Sequence, residues 1–182
     1  MATAGLQLKT GARLGPVPWT NIASSPAVGA YDIAPRLAFN PPKAEARSIL
    51  TITFKTHAPL SAGDRILVRL PDFFALDAVV VASPTAALCP APLWNATQSS
   101  LLIEMCGAFS TAQIFSATVT NLRLPVDGIS PGITSLTVTL NSTLGDIPES
   151  SFVDVQPVGA IHAELSFPGS AKAGQLPHEI AN

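Results

Sequence analysis

Charged residues are scarce in this chain. Only 12% of its 182 residues are Asp, Glu, Lys or Arg, about half of the ~25% that is usual in soluble domains. The formal net charge is −2 and basic residues form no cluster, so nucleic acid is not an expected partner. A surface with so little charge must be hydrated or covered by other means. Ser and Thr side chains can hydrate part of the surface. Attached sugar, or burial against neighbouring molecules in an assembly, can cover another part.

Long apolar runs are missing as well, although 47% of the residues are hydrophobic and the mean hydropathy is +0.38. No run approaches the ~18 residues of a membrane-spanning helix, so we expect no membrane insertion. Met1 is not followed by a basic segment and an apolar core, which are the marks of a signal peptide. If the protein is secreted, its signal lies upstream or has been removed, which suggests a segment of a longer protein.

Catalytic and cofactor-binding motifs are also missing. The sequence contains no G-x-S-x-G, H-E-x-x-H, phosphate-binding glycine loop or dinucleotide fingerprint. Asp64, Asp72 and Asp77 lie close in sequence and are candidates for calcium ligands. Their Gly, Pro and Asp neighbours explain the first two more simply as turn residues. We therefore expect a protein that is not an enzyme and that holds no cofactor and no metal.

Only two cysteines occur, Cys89 and Cys106. They can form one disulfide, remain two buried thiols, or contribute half of a metal site, but their spacing matches no zinc pattern. Two acceptor sequences for N-glycosylation, at Asn95 and Asn141, point to an oxidising, secretory history. Together with the low charge, they favour a Cys89–Cys106 disulfide, glycan on at least one asparagine, and an extracellular or cell-surface location.

Alternation of apolar and polar residues is the strongest pattern that is present. It runs through residues 48–56, breaks at the turn-rich residues 57–64, and resumes in residues 65–70. The apolar positions are Leu50, Ile52, Phe54, Ile66, Val68 and Leu70. Period two on both sides of a Pro/Gly/Asp break predicts the two antiparallel strands of a hairpin, each with one buried face. We expect Gly63 to take a positive φ in the turn.

Further strand patterns recur about every ten residues from 49 to 167. Residues 72–76 are expected to be an irregular segment, 83–95 a loop, and Asp127-Gly128 a tight turn. No amphipathic helix of useful length is present. The expected fold class is an all-β, immunoglobulin-like antiparallel sandwich of about seven or more strands. The predicted strands beyond the hairpin are 78–81, 101–105, 116–124, 133–140, 152–155 and 160–167, with weaker candidates at 6–9 and 19–23.

One segment of the chain is echoed later. Residues 28–39 read VGAYDIAPRLAF and residues 158–167 read VGAIHAELSF, which is shorter by two. The offset of about 130 residues suits a whole β-sandwich domain and is too long for a solenoid repeat. We therefore predict that 36–164 is one complete module, that 1–35 ends a preceding module, and that 165–182 begins the next.

The order of motifs in residues 37–71 resembles a known family. An apolar-Phe-Asn-Pro segment precedes an alternating strand, and Pro-Leu-Ser-Ala-Gly-Asp-Arg-Ile and then Leu-Pro-Asp-Phe follow. This arrangement is similar to the tandem immunoglobulin-like modules of very long extracellular proteins of algae and other protists, which build cell-surface coats and flagellar surface filaments. Some bacterial surface adhesins have similar modules. The resemblance covers about one module and implies a structural role without catalytic residues.

Two hypotheses for function follow. The first is a non-enzymatic structural module of an extracellular coat, filament or tandem-repeat array, whose partners are neighbouring modules or copies of the same protein. Leu165 and Phe167 would be exposed on a free strand edge, so we expect them to form the assembly contact. The alternative is a surface adhesin or lectin whose loops around Trp94 and Asp127 bind carbohydrate or another partner.

Overall fold

The structure is a computed structural model that describes residues 7–12, 15–21 and 29–159. These residues form eleven β-strands and contain no helix. The strands are β1 (Gln7–Ala12), β2 (Gly15–Asn21), β3 (Tyr31–Asn40), β4 (Arg47–Thr56), β5 (Arg65–Arg69), β6 (Phe74–Ala82), β7 (Leu93–Asn95), β8 (Ser100–Glu104), β9 (Phe115–Arg123), β10 (Thr137–Asn141) and β11 (Ile147–Ser151). β1 and β2 form a separate two-stranded sheet.

The other nine strands form two antiparallel sheets around one core. The first sheet has the order β3-β4-β9-β6 and the second the order β11-β10-β5-β8-β7. The predicted all-β antiparallel sandwich is therefore confirmed. The spatial order of the strands matches that of nine-stranded immunoglobulin variable domains. The connectivity differs, because the chain forms β6 on the first sheet before it forms β7 and β8 on the second.

The core lies between the inward faces of the sheets. Leu50, Ile52 and Phe54 on β4 are fully buried, as the alternation predicts. The rings of Phe54 and Phe115 stack with their centroids 4.5 Å apart, and Phe109 meets Phe115 edge-on at 5.8 Å. Aromatic pairs of this kind add about 0.5–1.5 kcal/mol beyond the burial of area. They hold β4, β9 and the connection that carries Phe109 together.

The predicted hairpin between residues 48–56 and 65–70 is wrong in its pairing. β4 pairs with β3 and β9 in the first sheet, whereas β5 pairs with β8 and β10 in the second. Both strands alternate because each has one face on the shared core, and the connection 57–64 is long enough to cross between the sheets. Gly63 in this connection has the expected positive φ, 89°.

Several other predicted elements differ in extent. β6 begins at Phe74, within the segment expected to be irregular, and β7 lies inside the predicted loop 83–95. The strand predicted at 133–140 is confined to β10. β11 was not predicted, because its Ile-Pro-Glu-Ser-Ser sequence is polar and contains a proline, which suits an edge strand. Asp127-Gly128 forms the predicted turn, closed by a hydrogen bond from the Gly128 N–H to the Pro125 carbonyl (3.2 Å).

The chain passes through the sandwich from one end to the other. The described part of the sandwich begins at Gly29, whose N–H donates to the Asp146 carbonyl (2.9 Å), and ends at Gly159, whose carbonyl accepts from the Ala44 N–H (3.2 Å). The ten residues of β3 separate these ends, a span of about 33 Å at ~3.3 Å per residue. We name the first end the N pole (residues 29–30, 57–64 and 142–146) and the second the C pole (residues 41–46, 70–73, 124–136 and 158–159).

Residues 29–35 and 152–159 both belong to the sandwich. The Val153 N–H donates to the Pro35 carbonyl (2.8 Å), and two bridges, at Arg36↔Val153 and Lys43↔Gly159, show that residues 152–159 run parallel to β3. The boundary predicted between residues 35 and 36 falls inside β3. The division into modules itself stays a prediction, and residues 160–182, with Leu165 and Phe167, lie outside the described residues.

The separate hairpin β1–β2 has the same strand pairing as β10–β11, at one constant offset along the sequence. Each hairpin has three equivalent pairs of partners and a register shift before the third pair. The pairs in β10–β11 are Thr137↔Ser151, Val138↔Ser150 and Leu140↔Ile147. Their counterparts in β1–β2 are Gln7↔Asn21, Leu8↔Thr20 and Thr10↔Val17. The sequences correspond as well, since 14–18 reads Leu-Gly-Pro-Val-Pro and 144–148 reads Leu-Gly-Asp-Ile-Pro.

A substitution at Gly29 tests how tightly the chain is seated at the N pole. A Cβ on Gly29 would lie 2.4 Å from the Gly145 carbonyl oxygen and 2.7 Å from Ile147 Cγ1. Gly29→Ala is therefore expected to lower the free energy of unfolding by about 1–3 kcal/mol, the usual effect of overpacking. Gly159→Ala is the matched control, because a Cβ there meets no atom within 4 Å. Urea unfolding that finds the two variants equally stable would contradict the close contact.

Candidate functional site

At the N pole, the Asp64 carboxylate holds the turn between β10 and β11. Asp64 is only 2% exposed. It accepts hydrogen bonds from the backbone amides of Ser61 (2.8 Å) and Thr143 (3.0 Å) and from the Ser142 hydroxyl (2.8 Å). One side chain therefore fixes two connections, 57–64 and 142–146, that belong to distant parts of the sequence.

Two opposing effects set the pKa of Asp64. Burial disfavours the charged form, and the hydrogen bonds from Ser61, Thr143 and Ser142 favour it. The hydrogen bonds prevail, so the pKa of Asp64 lies below its ordinary value of 3.8. Asp64 is therefore a carboxylate at neutral pH, and its oxygens are engaged by groups of the protein itself. This arrangement stabilises the pole and is not that of a general acid or base.

Next to the N pole lie two hydroxyl groups that are buried and unpaired within the described residues. They belong to Tyr31 and Thr56, which are partners in the pairing of β3 with β4. Burial raises the pKa of the Tyr31 hydroxyl well above its ordinary value, so the group stays protonated.

The acceptor asparagine Asn141 lies beside the Asp64 network. It ends β10, pairs with Arg65 and is exposed to solvent. Ser142 and Thr143, the other residues of its acceptor sequence, both contact Asp64. Asn141 is therefore accessible to solvent and precedes a turn that the Asp64 carboxylate holds in place.

The acceptor asparagine Asn95 ends β7 and shapes the turn that follows. Its side-chain oxygen accepts hydrogen bonds from the amides of Thr97 (3.0 Å) and Gln98 (3.1 Å), which is an Asx turn. Asn95 is exposed. The Leu70 N–H donates to the Ser99 carbonyl (2.8 Å), so this turn lies at the C pole. The two acceptor sequences are thus at opposite poles of the sandwich.

The predicted disulfide between Cys89 and Cys106 is present, with its Cα atoms 4.9 Å apart. Backbone hydrogen bonds flank it, from the Cys89 N–H to the Glu104 carbonyl (2.8 Å) and from the Cys106 N–H to the Ala87 carbonyl (2.8 Å). The bond ties the Pro-rich loop 83–92 to the end of β8. Ser83 and Thr85 of the same loop also form hydrogen bonds with the backbone of Ser116 on β9.

A groove of about 220 Å³ opens at the C pole. Its wall includes two large apolar side chains that are mostly exposed, Phe74 at 56% and Val126 at 55%. Ile129 also lines it and pairs with Val158, one residue before the chain leaves the sandwich. We name this cleft the C-pole groove and define it by Pro71, Asp72, Phe74, Val126, Asp127 and Ile133.

The structure separates several residues that the sequence suggested as site residues. Asp127 lines the C-pole groove, but Trp94 is not among its lining residues; it lies on β7 and packs against the core. The three carboxylates considered for calcium are also apart. Asp64 is at the N pole, Asp72 is at the C pole, and Asp77 forms an ion pair with Arg47 (3.4 Å). No group of three or more His, Cys, Asp or Glu side chains suited to a metal ion occurs in the described part of the chain.

Sequence reasoning missed the Asp64 network and the C-pole groove. Asp64 follows a glycine in a turn, which is an ordinary place for a solvated aspartate, and its partners Ser142 and Thr143 are far away in sequence. Phe74 stands beside Phe73, and only the structure shows that Phe73 is buried and Phe74 is exposed. The adjacent Phe-Phe pair, in which a strand must turn one ring outward, was the one available signal.

Comparison with known proteins gives no relative for this chain. No protein-family model, no curated protein and no solved structure matches it. In the part of the chain that the structure describes, no helix is long and apolar enough to cross a membrane.

The Asp64 network gives a testable dependence of stability on pH. Because the pKa of Asp64 is lower in the folded state than its ordinary value of 3.8, its ionised form stabilises the fold above that pH. This contribution is lost as pH falls through the lower, folded value. Asp64→Asn should reduce the free energy of unfolding at pH 7 by about 1–3 kcal/mol, and the deficit should shrink in strong acid.

The exposed Asp127 supplies the control, since Asp127→Asn should stay within about 0.5 kcal/mol of the parent protein. Chemical denaturation at pH 7 and near pH 2.5 measures both variants. A deficit of Asp64→Asn that is the same at both pH values would contradict the role of the ionised carboxylate.

The disulfide can be tested by intact mass and by stability. Reduction should add the mass of two hydrogens, because Cys89 and Cys106 are the only cysteines. Replacing both by serine should lower the free energy of unfolding by ~3 kcal/mol, the chain-entropy value for a loop of this size. A mass that reduction leaves unchanged would show that the bond is absent from the isolated protein.

Proposed function

We propose that this chain is a non-enzymatic structural segment of a tandem array of immunoglobulin-like modules at the cell surface. The observation that carries the proposal is the correspondence between β1–β2 and β10–β11, which share three residue pairs and a register shift at one constant offset. Unrelated sequences would rarely agree in this way, because a slip of one residue turns every side chain to the opposite face. On this account β1–β2 is the last hairpin of a preceding module.

The residues after each hairpin support the same period. Seven residues lead from the end of β2 to Val28 and from the end of β11 to Val158, and Gly-Ala follows both valines. Val158 is buried and pairs with Ile129, so it closes the core of its own module. One period then runs from Gly29 to Val158, a proposal that differs from the 36–164 module predicted from the sequence.

The two-residue difference between the echoed segments fits this period. Tyr31 and Leu37 on β3 are six residues apart, whereas their partners on β4, Thr56 and Ile52, are only four residues apart. The register shifts therefore add two residues to β3. In the later segment four residues lead from Ile161 to Leu165. The later copy is shorter by the two residues that the register shifts add to β3, so its sequence suits the same position in a further module.

The geometry of the sandwich suits an array. The chain comes in at the N pole and leaves at the C pole, so modules joined in sequence extend along one axis instead of folding back. The two parallel edges, β3 and residues 152–159, connect the poles directly. A disulfide and two exposed acceptor asparagines, with a charged fraction of only 12%, support an extracellular and glycosylated setting.

A lectin or adhesin remains the alternative function. The C-pole groove brings Asp72 and Asp127 beside the exposed ring of Phe74, and a carboxylate next to an aromatic ring is a combination that can bind a sugar. Trp94 does not contribute to this groove. The structural role is favoured because it accounts for both the repeated hairpin and the echoed strand, which a lectin site leaves unexplained.

Antibodies raised against the full chain test the proposed location and modification. They should label intact, unpermeabilised cells of the source organism, because the array is on the outer surface. The native polypeptide should migrate faster after enzymatic removal of N-glycans, because Asn95, Asn141 or both carry sugar. Labelling that requires permeabilised cells, together with unchanged migration, would contradict the proposal.

A further inference from the structure

The C-pole groove combines exposed apolar side chains with the carboxylates of Asp72 and Asp127, and nothing is packed on it among the described residues. Phe74 and Val126 are each more than half exposed, in a protein that has little charge with which to solubilise such a patch. Exposed apolar side chains that line one groove are a candidate interaction surface. The path of the chain near the groove indicates which partner fits it.

The chain itself leaves the sandwich at the rim of this groove. Ile129 lines the groove and exchanges two backbone hydrogen bonds with Val158 (2.9 and 3.0 Å). The next residue, Gly159, bridges to Lys43 and is the last one that the structure describes. The residue after Gly159 is therefore attached at the rim of the groove.

Gly159 has a structural counterpart in Gly29. Gly29 lies against the turn 142–146 of its own module so closely that a Cβ would approach the Gly145 oxygen to 2.4 Å, whereas a Cβ on Gly159 meets nothing within 4 Å. Both glycines stand in the sequence Val-Gly-Ala, and the offset between them is the one that relates the two hairpins. If Gly159 begins the next module as Gly29 begins this one, then the turn 142–146 of that next module comes to lie against Gly159.

We propose that the C-pole groove is the docking surface for the N pole of the following module, a second copy of this fold joined directly at Gly159. The inference rests on the proposed tandem array. The turn that it brings to the groove carries Leu144, which is 50% exposed and lies next to the glycine that contacts Gly29. Leu144 of the following module then packs against the apolar wall of the groove, and consecutive modules are held in a fixed relation.

A tandem protein tests this junction. Residues 1–158 are followed directly by residues 29–182, which preserves the Val-Gly-Ala sequence at the joint. A single thiol is introduced as Val126→Cys in the first or in the second copy, and the rate of maleimide labelling is measured under native conditions. The native cysteines form the disulfide, so the new thiol is the only reactive one. The same substitution in the 182-residue chain gives the rate for an uncovered groove.

Val80→Cys in the first copy is the matched control, because Val80 is 52% exposed, like Val126 at 55%, but lies on the outer face of β6 away from the C pole. Docking predicts that Val126→Cys in the first copy is labelled at least ~10-fold more slowly than in the second copy, because reaction then requires the modules to separate. The Val80→Cys thiol should react at the rate that it has in the chain with a single copy.

The outcomes separate the docking inference from the array on which it rests. If both copies fold but Val126→Cys reacts equally fast in each, the modules do not dock and the inference is wrong, while the array stands. If the second copy fails to fold, as judged by the number of protected amides relative to the single-copy chain, the proposed period is wrong and both proposals fail.

Discussion

The structure depends on the burial of the inward faces of its two sheets. Leu50, Ile52 and Phe54 on β4 have no exposed surface, and each side chain of this kind contributes ~1.5–3 kcal/mol when fully buried. The ion pairs, by contrast, lie at the surface; that of Arg36 with Asp154, for example, leaves both side chains more than half exposed. Such pairs contribute only about 0–1 kcal/mol. The low charge of the sequence is therefore compatible with a stable fold, because surface ion pairs do little to hold this fold together.

The same packing explains why the Asp64 network and the C-pole groove lie at the poles. The sheets fill the middle of the module, and the connections gather at its two ends. At the N pole the Asp64 carboxylate fixes the turn against which Gly29 lies, and at the C pole the chain leaves beside an apolar groove. A pull on Gly29 and Gly159 acts along β3 and the parallel segment 152–159, so it loads their hydrogen bonds in shear, all at once. This geometry is compatible with the proposed array.

Patterns in short stretches of the sequence correctly predicted which strand residues are buried and which cysteines are paired. Alternation identified the buried residues of β4 and β5, and the two cysteines were correctly paired. The pairing of β4 with β5 was wrong because two strands of opposite sheets that share a core have the same alternation as two strands of a hairpin. The Asp64 network joins residues that are 78 apart in sequence, and no local pattern signals such a contact. The repeated hairpin escaped notice because β1–β2 and β10–β11 share a register but few identical residues.

The central claim is that the sandwich repeats with the period that separates Gly29 from Gly159, and the sequence of the native polypeptide beyond both ends of this chain tests it most directly. The account predicts that the Leu-Gly-x-Val/Ile-Pro motif, found at 14–18 and 144–148, recurs one period further on, preceded by strands that correspond to β3–β9. It predicts equivalents of those strands upstream of β1 as well. Flanking sequence without such a copy, or a native chain of only these 182 residues, would contradict the account.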